Sequence, residues 1–451
     1  MLFNPKPLMY PANFRFPLQC IWLKFNGSWP LKPKMSGEFE KYFRLLYSTW
    51  AWYVVVMVGI TIGFQSAFLV NSFGNIMVTT ENGCTTFMGM LNFVRLLHLR
   101  LHQREFQQLL AQFVKDIWIT SSTYPSVERV CVRNMRVFQV ISLLQSCLIT
   151  MYCILPLVEL YMLTVNTEPD ILDSVPKPFP YKMLFPYDAN HGWRYALTYL
   201  FTAYAGICVV TTLFAEDSLF GFFAAYTCGQ FRILHTQIDN IIPDSYAATR
   251  AGRGTEAVYQ RECVRRLDRI AEKHCVLFNF VSRMENFFSP ILLVNFLLSS
   301  VLICMVGFQL VTGKNMFIGD YVKFLVYILS SLSQLFVLCW NGDNIIQNSL
   351  EMANHLYACD WECGVKLAAA NANINNMHPD EQMKNLAPIV YYSTNTVFRK
   401  KLQFMIMRSH RQTCITAMKF SILSLNSFSG LISSSMSYFA LLQSFYENEE
   451  N

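Results

Sequence analysis

The chain has 451 residues, of which 53% are hydrophobic and only 15% are charged. Because soluble domains carry about 25% charged residues, this composition indicates either an extensive lipid-facing surface or one very large core, and the distribution of the apolar residues along the chain favours the lipid-facing surface. The net charge of +6 does not indicate nucleic-acid binding, since the Lys and Arg residues form no basic cluster with interleaved aromatic side chains. We therefore expect the lipid bilayer as a partner and no nucleic acid.

Seven segments are long and apolar enough to cross a bilayer, which takes about 20 residues of helix for a hydrocarbon layer roughly 30 Å thick. The fourth segment ends near Glu216 and Asp217, which we expect at the level of the inner headgroups. The sequence predicts an all-α integral membrane protein with seven transmembrane helices. In chain order the predicted spans are Trp50–Val70, Phe73–Leu97, Val137–Leu163, Tyr195–Phe223, Phe287–Val311, Tyr321–Trp340 and Ile415–Leu442.

The distribution of positive charge predicts the orientation of these spans, because loops held in the cytoplasm are enriched in Lys and Arg. The N-terminal segment and the connections after the second, fourth and sixth spans carry 29 such residues, against five on the opposite side. This asymmetry predicts a cytoplasmic N-terminus and an extracellular C-terminus. It disfavours a G-protein-coupled receptor, which has its N-terminus outside.

The connections between the spans also carry structural signals. The long inner connections 230–285 and 342–410 are predicted to be helical, as extensions of the spans that pack in the cytoplasm, with a helix over Ala387–Met407. The outer connection Thr164–Arg194 is rich in proline, which predicts an ordered, extended lid rather than a helix.

The outer halves of the second, third, fourth and sixth helices are rich in aromatic and flexible side chains, with a few hydroxyl groups. A mostly apolar pocket of this kind suits a small volatile or hydrophobic ligand. Ordinary helix packing explains any single one of these residues equally well. The candidate ligand-binding residues are Phe73, Ile76, Met77, Thr80, Thr150, Met151, Ile154, Tyr199, Thr202, Phe324 and Tyr327.

Small and polar residues share one face of the last predicted span, at helical spacing. If several copies surrounded an axis, this stripe would line a wet pore, and a ring of Leu441 would form a constriction that can dewet. Packing of small residues against a neighbouring helix is the alternative. The stripe consists of Ser427, Gly430, Ser434, Ser437, Leu441 and Ser444.

Catalytic and cofactor motifs are missing from the sequence. His98 and His102 lie four residues apart on one predicted helix face, but no acidic partner motif accompanies them. There is no glycine-rich phosphate loop and no Gly-x-Ser-x-Gly nucleophile motif. We expect no metal, no cofactor and no enzymatic activity.

The chain resembles the insect odorant receptors over nearly its whole length. The most specific similarity lies in the last helix, and further stretches are similar to the end of helix six, the outer loop and the inner end of helix four. The residues that carry it are Ala417-Met418-Lys419-Phe420, Leu423-Ser424-Leu425, Ser437–Leu442, Gln334-Leu335-Phe336, Cys359-Asp360-Trp361, Phe179-Pro180-Tyr181, Phe185-Pro186-Tyr187 and Asp217–Phe220.

This resemblance implies an odorant-gated, non-selective cation channel in the plasma membrane of olfactory sensory neurons. The chain would be an odorant-specific subunit that binds a small volatile organic ligand and forms a heterotetramer with co-receptor subunits. The family's hydrophobic gate falls on Leu441, with Ser444 and Phe445 just outside it. A gustatory receptor with the same fold and pore is an alternative, whereas a transporter would need midplane charges and broken helices in matched halves.

The resemblance also implies a cytoplasmic anchor domain that forms the main subunit contact. We expect four regions: a cytoplasmic N-terminal segment (1–49), six transmembrane helices with the ligand pocket and their cytoplasmic extensions (50–342), anchor helices (343–414), and the pore-lining last helix with an extracellular tail (415–451).

Overall fold

A computed structural model of the chain describes residues 16–30, 38–119, 124–166, 175–190, 192–252, 255–313, 318–361 and 393–450. Helices form most of the described chain, together with one π-helical turn at Phe113–Trp118 and one short hairpin. The elements are α1 (Cys20–Phe25), α2 (Glu38–Asn71), α3 (Ile76–Leu101), α4 (Gln103–Gln112), α5 (Pro125–Asn166), α6 (Gly192–Asp239), α7 (Ile241–Ala251), α8 (Glu256–Thr312), α9 (Ile318–Ala358), α10 (Thr396–Ser409), β1 (Thr416–Ala417), β2 (Ser421–Ile422) and α11 (Leu425–Glu450).

Seven of these helices correspond in order to the seven predicted spans: α2, α3, α5, α6, α8, α9 and α11. Within the described residues, five of them, α2, α5, α6, α8 and α9, are long and apolar enough to cross a membrane by composition alone. α3 and α11 are each 26 residues long but more polar. α3 buries its polar side chains against neighbouring helices, so its low hydropathy is compatible with a span enclosed by protein.

Four of the spans continue as unbroken helices well beyond the thickness of a bilayer, and one of them is α5 with 42 residues. α6 has 48 residues, α8 has 57 and α9 has 41, whereas about 20 residues suffice to span the hydrocarbon layer. The extension of α8 buries Leu267, Ile270 and Leu277, and α10 packs on α8 and α9. The helical interpretation of connection 230–285 is therefore confirmed for its described residues, which belong mainly to α6, α7 and α8. The helix expected over 387–407 begins at Thr396, and residues 387–392 lie outside the described part of the chain.

The last span begins later than the predicted start at Ile415. Its first residues instead form the β1–β2 hairpin, in which Thr416 pairs with Ile422. Met418 and Lys419 adopt left-handed φ angles of 50° and 61°, a conformation that non-glycine residues rarely take. The Met418 N–H donates a hydrogen bond to Ser289 Oγ on α8 (2.5 Å), so the hairpin is fixed to the bundle before α11 begins.

The second span also starts later than predicted. α3 begins at Ile76 because the Asn75 side chain caps the helix by accepting a hydrogen bond from the Val78 N–H (3.2 Å). Phe73 therefore precedes the helix, in a turn between α2 and α3.

Candidate functional site

The loop at residues 175–190, which we call the lid, covers one end of the helix bundle. It contains no helix or strand, which confirms the extended structure for residues 175–190 of the predicted lid Thr164–Arg194, whereas 164–166 and 192–194 belong to α5 and α6. Its backbone is held to α2 by a hydrogen bond from the Leu184 N–H to the Phe64 carbonyl oxygen (3.2 Å). Its side chain Tyr181 extends down between the helices.

A small cavity of about 50 Å³ lies below the lid, between α2, α3, α5, α6 and α9. Its wall contains the rings of Tyr152, Tyr181 and Tyr327 together with aliphatic side chains. Gln65 is its most polar lining residue, and the Gln65 side-chain amide oxygen, Oε1, is buried with no hydrogen-bond partner among the described residues. The cavity is therefore a mostly apolar chamber in which Gln65 offers a free hydrogen-bonding group.

A larger cavity, which we call the vestibule, has a volume of about 750 Å³ and lies directly under the lid. Two ion pairs lie at its edge, Lys182–Glu81 and Lys323–Asp320, each with an N–O distance of 2.6 Å. Tyr152 and Tyr181 line both cavities. Their rings stack with centroids 5.6 Å apart, so this tyrosine pair forms the wall between the vestibule and the small cavity.

The candidate ligand-binding residues fall into three groups. Tyr327 lines the small cavity, and Met77 and Met151 line the vestibule. Four more are buried in helices that line the two cavities, and there they support the cavity walls: Thr80, Tyr199, Thr202 and Phe324. The remaining four are half-buried or exposed and line neither cavity: Phe73, Ile76, Thr150 and Ile154.

Hydrogen bonds within the bundle explain why the predicted polar residues support the walls. Gln309 Nε2 donates to Thr80 Oγ1 (2.6 Å), and Tyr327 Oη donates to the Cys84 carbonyl oxygen (2.9 Å). Thr202 Oγ1 donates to the Tyr199 carbonyl oxygen (3.0 Å). Each of these groups already has a partner within the protein, so Gln65 is better placed to bind a polar group of a ligand.

The first span contributes to the small cavity, although the sequence reasoning left it out. Val58, Thr61, Ile62 and Gln65 of α2 all line it. Polar residues inside a span usually face protein or water rather than lipid. Thr61 and Gln65 lie four residues apart in an otherwise apolar segment, so their polarity could have indicated that this face of the first span is turned towards the protein.

Farther along the bundle from the lid, a buried charge cluster joins α3, α6 and α9. Arg95 Nη1 lies 2.7 Å from Asp217 Oδ1 and 3.5 Å from Glu216 Oε2. Gln334 Nε2 donates a hydrogen bond to Asp217 Oδ2 (2.6 Å). The protein encloses the two acids around a positive partner, so neither is exposed to lipid. Their predicted level at the inner headgroups stays a prediction.

The serine stripe lies on the exposed face of α11. Ser434, Ser437 and Ser444 are exposed, as are Leu441 (56%) and Phe445 (58%). Ser427, at the start of the helix, is half-buried and hydrogen-bonded to the Ile422 carbonyl oxygen (2.5 Å).

The opposite face of α11 packs against α8 and α9. It buries Ser435, and Phe439 lies against Gly307 of α8. The packing of α11 within the chain therefore uses the other face and leaves the stripe free.

Comparison with known proteins gives consistent matches. The family model described as 7tm Odorant receptor matches residues 75–365. Odorant receptor 13a of Drosophila melanogaster is 50% identical over 444 residues, covering 98% of this chain and 98% of that protein. Odorant receptor 47a of the same species is 22% identical, covering 80% of this chain and 82% of that protein.

Two solved structures share the fold. The olfactory receptor OR5 of Machilis hrabei in complex with eugenol superposes with a TM-score of 0.70 at 16% identity, covering 95% of this chain and 97% of that one. A second structure of OR5 from Machilis hrabei superposes with a TM-score of 0.69 at 15% identity, covering 94% of this chain and 96% of that one. These matches confirm the seven-helix fold.

Proposed function

Because the chain belongs to the insect odorant receptor family, we propose that it is the odorant-specific subunit of a ligand-gated cation channel assembled with co-receptor subunits. The observation that carries this proposal is the free stripe on α11. Serine side chains are poorly placed against lipid but well placed against water. Several subunits arranged around an axis would enclose a wet pore lined by Ser434 and Ser437 and narrowed at Leu441.

The ligand in this proposal is a small, mostly apolar molecule that occupies the chamber below the lid. The three tyrosine rings and the aliphatic wall favour such a ligand, and Gln65 offers it one hydrogen-bonding group. The fold is that of a receptor solved in complex with eugenol, which supports a pocket for small organic molecules within it.

The proposed orientation places the lid outside the cell and the helix extensions inside. The excess of Lys and Arg on the side opposite the lid supports this orientation. The vestibule would then open towards the extracellular fluid that delivers the odorant, and the membrane would be the plasma membrane of olfactory sensory neurons.

The direct test is co-expression of the chain with a co-receptor in cells that lack both, with whole-cell recording during a panel of volatile compounds. We expect an odorant-evoked cation current that requires both subunits and persists when guanosine 5′-O-(2-thiodiphosphate) in the pipette blocks G-proteins. A current that vanishes under this block would contradict a channel mechanism. An unchanged current without the co-receptor would instead favour a gustatory-type channel.

A further inference from the structure

A cavity of about 580 Å³ lies at the end of the bundle away from the lid, between the start of α5 and the C-terminal parts of α6 and α9. Two arginines line it, Arg133 on α5 and Arg232 on α6. Amide side chains, including Asn134, Asn344 and Asn348, provide further polar groups. The proposed ligand chamber and pore use none of these residues.

The charge of this cavity is positive and uncompensated. Arg133 and Arg232 are both exposed, and neither forms an ion pair within the described residues. Arg232 Nε donates a hydrogen bond only to the neutral Asn348 Oδ1 (3.3 Å), and no Asp or Glu is among the lining residues that the structure describes. Two guanidinium groups at one cavity suit a phosphate, which arginine binds through paired N–H donors.

The cavity also lies where the hydrocarbon layer is expected to end. Val137 begins the third predicted span and Trp340 ends the sixth, and both line the cavity. Val140 is 59% exposed, and it follows Arg133 and Val137 along one face of α5, seven and three residues later. An exposed apolar strip therefore runs from the arginines into the membrane region.

We propose that this cavity binds an anionic phospholipid of the cytoplasmic leaflet, with the phosphorylated headgroup at Arg133 and Arg232 and an acyl chain along Val137 and Val140. A free inositol phosphate would share the headgroup chemistry but would leave the apolar strip unused. Basic pockets between helices on the cytoplasmic side are suited to such lipids. The assignment to the cytoplasmic leaflet rests on the proposed orientation, whereas the binding itself does not.

The test is a binding measurement on the full-length chain purified with its co-receptor, using native mass spectrometry and dioctanoyl phosphatidylinositol 4-phosphate. We expect Arg133→Gln with Arg232→Gln to lower the affinity at least tenfold. The charge-matched pair Arg104→Gln with Arg136→Gln removes two exposed arginines that do not line the cavity, and it should bind like the parent protein. Because no odorant current is measured, failure here is distinct from failure of the channel proposal.

Three results would overturn the proposal: unchanged binding in the glutamine pair, equal binding of dioctanoyl phosphatidylcholine, or equal affinity for soluble inositol 1,4-bisphosphate. The last result would indicate a soluble phosphate ligand rather than a lipid. If the glutamine pair does not assemble, Arg133→Lys with Arg232→Lys keeps the charge but removes the paired donors. Weaker binding by this pair would support the site, and parent-like binding would count against arginine-specific recognition.

Discussion

At the scale of single residues, the cluster around Arg95 places three ionisable side chains inside the bundle. One guanidinium and two carboxyl groups are almost completely buried, with side chains 1%, 2% and 9% exposed for Arg95, Glu216 and Asp217. Removing one partner of a buried pair typically costs about 3–5 kcal/mol, because the remaining charge is left without compensation. The cluster therefore holds α3 against α6, and the hydrogen bond from Gln334 to Asp217 joins α9 to both.

We predict that Arg95→Gln sharply reduces the amount of receptor at the cell surface, measured by surface biotinylation. Neutralising the partners as well, with Glu216→Gln and Asp217→Asn, should recover a large part of that loss, since no buried charge is then unpaired. Arg100→Gln is the matched control, because Arg100 is only half-buried near the end of the same helix. If the Arg95→Gln variant alone reaches the cell surface in the same amount as the parent receptor, the cluster contributes little to stability.

Leu441 is the residue on which the proposed gate depends. It is 56% exposed in the single chain and lies among small polar residues, so a ring of such leucines would be the narrow apolar part of a wet pore. We predict that Leu441→Ser increases the basal current of the co-expressed channel several-fold, measured without odorant and normalised to surface amount.

Met436→Ser is the matched control for this substitution. Met436 is similarly exposed, at 59%, but its position on α11 lies well away from the stripe. The channel with Met436→Ser should have the same basal current as the parent channel. If Leu441→Ser also leaves the basal current unchanged, Leu441 does not form the gate.

At the scale of elements, the packing of the lid against α6 depends on a glycine. A Cβ atom at Gly206 would collide with the Tyr181 hydroxyl oxygen and lie 2.9 Å from Tyr181 Cζ. The absence of a side chain on α6 therefore allows Tyr181 to stack on Tyr152 and to close the small cavity from the vestibule.

We predict that Gly206→Ala displaces Tyr181 and raises the odorant concentration for half-maximal current roughly tenfold, with little change in surface amount. Adding Tyr181→Phe should restore part of the potency, because it removes the oxygen that makes the closest contact. Gly63→Ala in α2 is the control, since a Cβ there would meet nothing within 4 Å. If Gly206→Ala needs the same odorant concentration for half-maximal current as the parent, the position of Tyr181 in the lid does not affect ligand binding.

The sequence was sufficient to locate the helices but not their rotation or their ends. Long apolar runs predict spans because they follow from the thickness of the bilayer. The rotation of α5 decides whether Met151 or Ile154 faces the vestibule, and it depends on packing with distant helices. The hairpin before α11 depends on left-handed Met418 and Lys419 and on Ser289, a contact across more than a hundred residues.

At the scale of the whole molecule, the lid and the ligand chamber occupy one end of the bundle, and the long extensions of α6, α8 and α9 form the other. α10 packs on these extensions, whereas α11 exposes its serine stripe along the bundle. The proposal that ligand binding at one end opens a shared pore therefore requires that the two ends lie on opposite sides of the membrane.

Cysteine labelling can test this orientation directly. Cys275, on the extension of α8, is exposed, whereas Cys359 is buried beyond the end of α9. Burial raises the pKa of the Cys359 thiol to about 11, so at neutral pH it carries almost no reactive thiolate. Of these two cysteines, Cys275 should therefore account for most of the labelling.

We predict that a membrane-impermeant maleimide labels Cys275 only after the plasma membrane is permeabilised. The measured quantity is the labelling that Cys275→Ser removes, which separates this site from the other cysteines. For the opposite end, Leu184→Cys in the Cys275→Ser background places a thiol on the lid, where Leu184 is 46% exposed, and it should react on intact cells. Labelling of Cys275 on intact cells would reverse the proposed topology, and the arginine cavity would then face the outer leaflet.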